Sequence, residues 1–169
     1  MDFKLDKAHQ LQRELFRNFA EAEIRPLAKE MDEKEAYSLD LLAKLQRYGF
    51  LGIPYSKEYG GAGSDTLAYT LCMEEVSKAD ASTGITISVH TSLCCSCINN
   101  FGTEEQKQKF LRPLVDGSKV GCFGLTETNA GSDVQGAHTT AVKDGDDWII
   151  NGSKIFTTNS GFADTCILF

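Results

Sequence analysis

The chain has 169 residues, enough for one ordinary hydrophobic core or slightly more, and it is 41% hydrophobic and 24% charged. A formal net charge of −7 argues against nucleic acid, whose phosphates need a basic footprint, and against an anionic membrane surface for the same electrostatic reason. The opening Met1-Asp2-Phe3-Lys4-Leu5-Asp6 lacks the basic and apolar regions of a secretory signal and is too acidic for a transit peptide, and no apolar run approaches the ~18–20 residues of a membrane span, so the expected location is the cytoplasm.

The first part of the chain has helical periodicity. Leu11, Leu15, Phe19 and Ala22 recur at steps of four and three and predict one apolar stripe. Pro26 is expected to kink or restart that helix, with Leu27 and Met31 continuing it. Ser38 is a candidate N-cap for a second helix carrying Leu41, Leu42, Leu45 and Tyr48, and Gly49 a candidate stop. The stretch 52–63 holds Pro54 and four Gly, which predicts a loop. Asp65 can cap a third helix with Leu67, Leu71 and Glu74 on one face and Tyr69, Met73 and Val76 on another. Residues 82–100 are rich in Ala, Ser, Thr, Gly and Cys, side chains small enough to let a neighbour approach closely. Gly102 ends that helix. Thr103-Glu104-Glu105-Gln106 forms a capping box for the next, which is expected to reach Leu111 before Pro113.

After Val120 the period shortens to two. Strands are expected over 120–126, 139–142 and 165–169, with a turn at Asp144-Gly145. Trp148-Ile149-Ile150 and Lys154-Ile155-Phe156 flank Asn151-Gly152, a type I′ hairpin signal. The chain closes on Cys-Ile-Leu-Phe, inside an apolar strand, where a sheet edge would be left unpaired. This predicts a fragment of a longer product or an unusually truncated gene product. The six cysteines are placed unlike a disulfide framework, with Cys94, Cys95 and Cys97 in one turn, and reduced thiols are expected.

The residues suited to chemistry concentrate in two segments. Cys122 to Asp133 leaves a strand and enters a loop of small, hydroxyl and amide residues, where a ligand can approach the backbone. Phe156-Thr157-Thr158-Asn159 places an aromatic before two hydroxyls. A flavin needs such a pairing, with polar groups at its pyrimidine edge and a flat apolar surface for the ring system. Taken singly, each segment is also an ordinary surface turn.

Leu125-Thr126-Glu127 through Gly131-Ser132-Asp133, together with Asn151-Gly152-Ser153-Lys154-Ile155-Phe156-Thr157-Thr158-Asn159, resembles the two flavin segments of the acyl-CoA dehydrogenase family. The resemblance runs the length of the chain, through Tyr59-Gly60-Gly61, Glu74-Glu75, His90-Thr91-Ser92-Leu93-Cys94 and Phe101-Gly102-Thr103-Glu104-Glu105-Gln106-Lys107. With Phe156 where many members have Trp, it is most similar to the short-chain (butyryl-CoA) dehydrogenases of fermenting bacteria. Thr128 stands where the family usually has Pro, and Thr157 where it usually has Ile.

The resemblance implies a multi-domain α+β fold: an N-terminal helical bundle over residues 1–116, then over 117–169 the first half of an antiparallel β-barrel domain, with the C-terminal helical bundle missing. It implies FAD as cofactor. Phe123, Leu125, Thr126, Gly131, Ser132, Phe156, Thr157 and Thr158 would contact the flavin. Ser132 would also touch the pantetheine arm of an acyl-CoA, and Val89, Leu93 and Cys94 would border the acyl chain. The implied reaction is α,β-dehydrogenation of a short acyl-CoA, or its reverse, in a homo-oligomer that passes electrons to an electron-transferring flavoprotein. The catalytic Glu is expected beyond Phe169, which leaves the chain inactive alone, and Glu74, Glu75 and Glu127 do not match it by motif. Two readings of other classes stand beside this one: a non-catalytic helical module that packs with a partner, and a thiol or metal site on the face shared by His90, Cys94 and Cys97, for which no fourth ligand is evident.

Overall fold

A computed structural model describes residues 4–169; the first three residues of the opening segment lie outside that range. Five helices precede the strands among the described residues. In α1, Lys7–Phe19, Ala20–Ile24 and Arg25–Lys34 follow without a break, the middle piece a single π turn. Pro26 sits in the first turn after it, where a missing N–H is harmless, so the helix continues rather than ends. Of the predicted stripe, Phe19 packs against the core but Leu11 and Leu15 do not. Leu11 and Leu15 are each 58% exposed, while Phe16, Ala20, Ile24 and Met31 are buried. The π turn inserts an extra residue, which rotates the later side chains back toward the core after the four-residue steps at 16, 20 and 24.

Helix α2 (Leu39–Arg47) starts where Ser38 accepts a hydrogen bond from Leu41 N–H and buries Leu41, Leu42 and Leu45. Gly49 follows at φ +74° and turns the chain back. Tyr48, expected on the buried face, is exposed. The loop at 52–63 is present, with one short turn at Lys57–Tyr59. Helix α3 (Thr66–Ala79) is capped by Asp65 and buries Leu71, Cys72, Glu75 and Val76; Leu67 faces outward. Residues Ala81–Phe101 form α4, whose middle, Val89–Cys95, is again π. By length and mean hydropathy of 1.2 this helix is apolar enough to cross a membrane, contrary to the expectation that no run comes near a span, and 56% of its most apolar window is buried inside the protein. Helix α5 comprises Glu104–Gln106, Lys107–Leu111 and Arg112–Val115. Its Thr103–Gln106 capping box is formed as expected, but it passes through Pro113 to Val115 because that Pro again falls in a fresh first turn.

The principal core joins Phe16, Ala20 and Ile24 of α1 to Leu41 and Leu45 of α2, Leu71, Cys72 and Val76 of α3, and Ile87 of α4. A second cluster packs Tyr55 and Tyr59 of the loop against Cys94, Cys95 and Ile98 of α4 and Leu111, Leu114 and Val115 of α5. Each fully buried aliphatic residue contributes on the order of 1.5–3 kcal/mol.

The strands are β1 (Gly121–Gly124), β2 (Thr140–Asp144), β3 (Asp147–Asn151) and β4 (Thr165–Leu168). They form two separate pairs, so the described residues hold two small sheets rather than a barrel. β1 and β4 run parallel, Gly121 beside Thr165 through Gly124 beside Leu168, where antiparallel pairing was expected. β2 and β3 are antiparallel, with Asp144 opposite Asp147. The hairpin therefore turns at Gly145-Asp146, with Gly145 at φ +63°, rather than at Asn151-Gly152. Lys154-Ile155-Phe156 is not a strand: Ile155 N–H instead donates to the Thr126 carbonyl at 2.8 Å.

Candidate functional site

Three side chains hold β1 against α4. Gly121 lies so close that a Cβ there would fall 2.5 Å from Cys94 Sγ, and its N–H donates to His90 Nδ1 at 2.9 Å. Burial holds His90 below the ordinary imidazole range, at about 4. With Nδ1 accepting, the ring proton is on Nε2, which faces Cys95 Sγ at 3.4 Å and the Leu114 carbonyl. The third is Asn159. Its amide donates to the carbonyls of Thr86 at 3.0 Å and Gly121 at 3.1 Å, joining α4, β1 and the segment that ends at Asn159 itself. Asn159 has φ +71°, a conformation Asn adopts more readily than most residues.

These anchors leave a cavity of about 280 Å³ between α4, the end of β1 and the 155–158 segment. Val89 and Leu93 come from the π turn of α4, Phe123, Leu125 and Thr126 from β1 and its exit, and Ile155, Phe156 and Thr158 from the later segment. The wall is apolar apart from two hydroxyls, those of Thr126 and Thr158, which bond to no other group among the described residues. Phe156 stands at the lip, 88% exposed and at φ +57°. A bulky residue in the left-handed region with its ring in solvent is strained and unpartnered, the state of a side chain built to meet something else. None of the residues lining this cavity is ionisable.

The loop after β1 is tied down by Glu127. Its buried carboxylate accepts from His138 N–H at 2.6 Å, Thr139 N–H at 2.9 Å and the Thr139 hydroxyl at 2.5 Å, and pairs with Lys154 Nζ at 2.7 Å. These donors, the His138 amide first and Lys154 next, hold it far below the usual carboxylate range. It is therefore a fixed anion rather than a proton acceptor. Lys154 also donates to the Leu125 carbonyl at 3.1 Å, so this one buried pair ties the 125–127 and 154–158 segments together.

The cavity thus brings together seven of the residues the sequence pointed to: Val89, Leu93, Phe123, Leu125, Thr126, Phe156 and Thr158. Gly131 and Ser132 lie exposed on the loop beyond Ala130, and Thr157 is half-buried outside the cavity lining. Cys94 is fully buried and turned toward β1 and β4, its Sγ 3.9 Å from the Thr165 carbonyl. Glu75 is far from the cavity in function, paired with Arg13 and Arg17 across α1 and α3. The supporting roles of Lys154, His90 and Asn159 were not anticipated. Asn159 carried a weak signal, since Asn adopts the left-handed region more readily than most residues; the other two depend on long-range packing.

Residues 6–118 match the model for "Acyl-CoA dehydrogenase, N-terminal domain" and residues 122–169 that for "Acyl-CoA dehydrogenase, middle domain". The short-chain-specific acyl-CoA dehydrogenase of Clostridium acetobutylicum is 53% identical over the whole chain, which covers 45% of that relative. A solved chain from work on the electron transferring flavoprotein of Acidaminococcus fermentans and flavin-based electron bifurcation superposes with TM-score 0.95 at 48% identity, over 99% of this chain and 44% of that one. Butyryl-CoA dehydrogenase from Megasphaera elsdenii does so with TM-score 0.93 at 46% identity, over 99% and 45%. The chain spans less than half the length of these relatives.

Proposed function

The chain belongs to the acyl-CoA dehydrogenase family, and on that premise we propose that it supplies one wall of a site for FAD and a short acyl-CoA. The observation that carries this reading is the composition of the 280 Å³ cavity: both motif segments and the acyl-side helix converge on it. FAD, when bound, supplies the hydride acceptor. The residues present fit such a group. Phe156 and Phe123 offer aromatic surface, Thr126 and Thr158 offer free hydroxyls at the polar edge, and Val89 and Leu93 leave an apolar flank for a short acyl chain. Gly131 and Ser132 reach outward on the loop, where the phosphate and pantetheine portions of the ligands would run, and Thr157 backs the Phe156 turn. Cys94 acts from behind, by fixing how closely β1 approaches α4.

A proton must leave the acyl α-carbon in this reaction, and the cavity wall has no group to take it. In this reading, which rests on the family resemblance, the base comes from outside this cavity wall and the chain alone does not turn over substrate. Assembly into a homo-oligomer, electron transfer to an electron-transferring flavoprotein and a cytoplasmic setting follow from the same family reading. A second reading, that the chain serves as a packing module, is favoured by the hairpin, where Val142, Trp148, Ile149 and Ile150 are all exposed.

Titration of FAD into the chain, followed by flavin fluorescence and absorbance, separates the two. Saturable quenching that is strengthened by a butyryl-CoA analogue supports the site. A chain that takes up no flavin and yet self-associates supports the packing module, and turnover of butyryl-CoA by the chain alone would refute the externally supplied base.

A further inference from the structure

None of the six cysteines is in a disulfide, and four of them gather where α4 meets β1 and β4. Cys94 lies against Thr165, Cys97 and Cys166 border the same groove, and Cys122 is the register partner of Cys166. Register partners in neighbouring strands point to the same face of the sheet, with Cα atoms ~4.8 Å apart. That separation is inside the ~4.4–6.8 Å span of a disulfide. The two thiols differ in access. Cys166 is exposed and opens on an apolar groove of about 550 Å³ walled by Ile98, Phe101, Phe110 and Phe169, whereas Cys122 is buried behind it.

We propose that Cys122 and Cys166 form a thiol-modification site, in which Cys166 reacts first with a low-molecular-weight disulfide of the glutathione class and Cys122 then closes a cross-strand disulfide. In the first step the Cys166 thiolate attacks one sulfur of the reagent, and the other half leaves as a thiolate that takes up the proton Cys166 gave. In the second, Cys122 loses its proton and attacks Cys166 Sγ, expelling the second reagent thiol. Two protein thiols are oxidised by two electrons, and one reagent disulfide is reduced to two thiols. Burial first, and the neighbouring Cys166 thiol next, push Cys122 up to about 12, so the second step is the slow one and quickens as pH rises. Once Cys166 is in the mixed disulfide it carries no charge to oppose ionisation of Cys122. The bond would pin β1 to β4 one residue before Phe123, which lines the cavity, without using any group of the cavity itself.

Peptide mapping by mass spectrometry of the chain incubated with oxidised glutathione tests this independently of flavin binding. The expected sequence is an adduct on Cys166, then a Cys122–Cys166 cross-linked peptide that forms several-fold faster at alkaline than at neutral pH. Cys122→Ala should stop at the adduct, and Cys166→Ser should leave Cys122 unmodified. Cys122→Ser serves if the Ala variant does not fold. An adduct that persists in the unsubstituted chain, a link from Cys166 to Cys97, or a Cys166 that does not react would each overturn the proposal.

Discussion

His9 and Asp65 join the starts of two helices. The His9 Nε2 lies 3.1 Å from Asp65 Oδ2, while Nδ1 lies 2.9 Å from Asp6 Oδ1. Asp6 caps α1 and Asp65 caps α3, so the imidazole bridges two N-caps. It can donate to both only when both nitrogens carry a proton. The hydrogen bond to Asp65, followed by that to Asp6, raises the His9 pKa above its ordinary 6.5. A group whose folded pKa is raised stabilises the fold fully below its unfolded pKa and loses that contribution as pH rises through the folded value. Unfolding midpoints in urea should therefore fall as pH climbs through and above 6.5. His9→Asn should flatten that decline by lowering the midpoint on the acid side, where the charged imidazole contributes, and should leave the midpoint at high pH nearly unchanged. Parallel curves for the two proteins across this range would show that the bridge carries no linkage.

His90 predicts the opposite slope. Burial lowers its pKa to about 4, because a charged imidazole at that site would lose its water. The unfolded chain then binds a proton that the folded one does not, and stability falls as pH drops from 6.5 toward 4. The stability maximum should thus lie close to pH 6.5, between two histidines of opposite sign. Titration of the ring followed by NMR checks it, since His90 should stay neutral at pH 5, where His9 is fully charged.

Glu75 ties α1 to α3 inside the core. Its carboxylate is 3% exposed and receives Arg13 Nε at 2.7 Å and Arg17 Nε at 3.0 Å. Arg17 first, then Arg13 and Lys78, hold its pKa at about 2. Because the folded pKa is depressed, this stability is present above the ordinary carboxylate range and is lost as pH falls toward 2. Glu75→Gln keeps the shape and removes the charge; with both arginines partly in solvent, a cost of about 1–2 kcal/mol is expected. Denaturant melts at neutral pH measure it, and a change within ~0.3 kcal/mol would mean the pair is replaced by water.

Much of the fold was legible in local signals, and what was missed shares a cause. Ser38, Asp65 and Thr103 are caps because a short polar side chain before an apolar run satisfies a free N–H wherever it occurs. The Leu11 and Leu15 stripe failed because the core takes the neighbouring face, through Phe16 and Ala20, and the π turn at 20–24 then keeps Ile24 on that face with an inserted residue that no 3.6-residue pattern records. Asn151-Gly152 has the composition of a hairpin turn, yet Gly152 is needed for close approach: a Cβ there would lie 2.2 Å from Thr139 Oγ1. The cavity was legible through its two segments, Leu125-Thr126 and Phe156 to Thr158. Its supports, His90 to Gly121 and Lys154 to Glu127, link residues 31 and 27 positions apart, and one-dimensional periodicity does not see such pairs.

Glu127 and Lys154 give a prediction about local rather than global order. Both side chains are buried, so Glu127→Gln leaves the Lys154 ammonium in place without its counter-charge. The loop 128–139 then loses the anion that gathers the His138 and Thr139 donors. Limited proteolysis should cut this loop sooner in the variant, while far-UV circular dichroism of the helices stays unchanged. Equal cleavage rates would show that the loop is held by its backbone alone.

Phe156 sets stability against ligand binding most directly. Its ring is 88% exposed and its backbone is at φ +57°, so the fold gains little from the side chain and bears the strain of the conformation. Glycine relieves a strain of about 1–3 kcal/mol at such a position and loses roughly 0.5–1 kcal/mol to unfolded-state entropy. Phe156→Gly should therefore unfold at a midpoint equal to or above that of the parent. Phe156→Ala retains the strain and, as a surface change, should shift stability by no more than ~0.5 kcal/mol. If the ring is there to cover a flavin, both variants lose flavin quenching alike, whatever their stability. Should they bind flavin as the parent does, the ring has no part in the site and the positive φ answers to the Asn159 anchor instead.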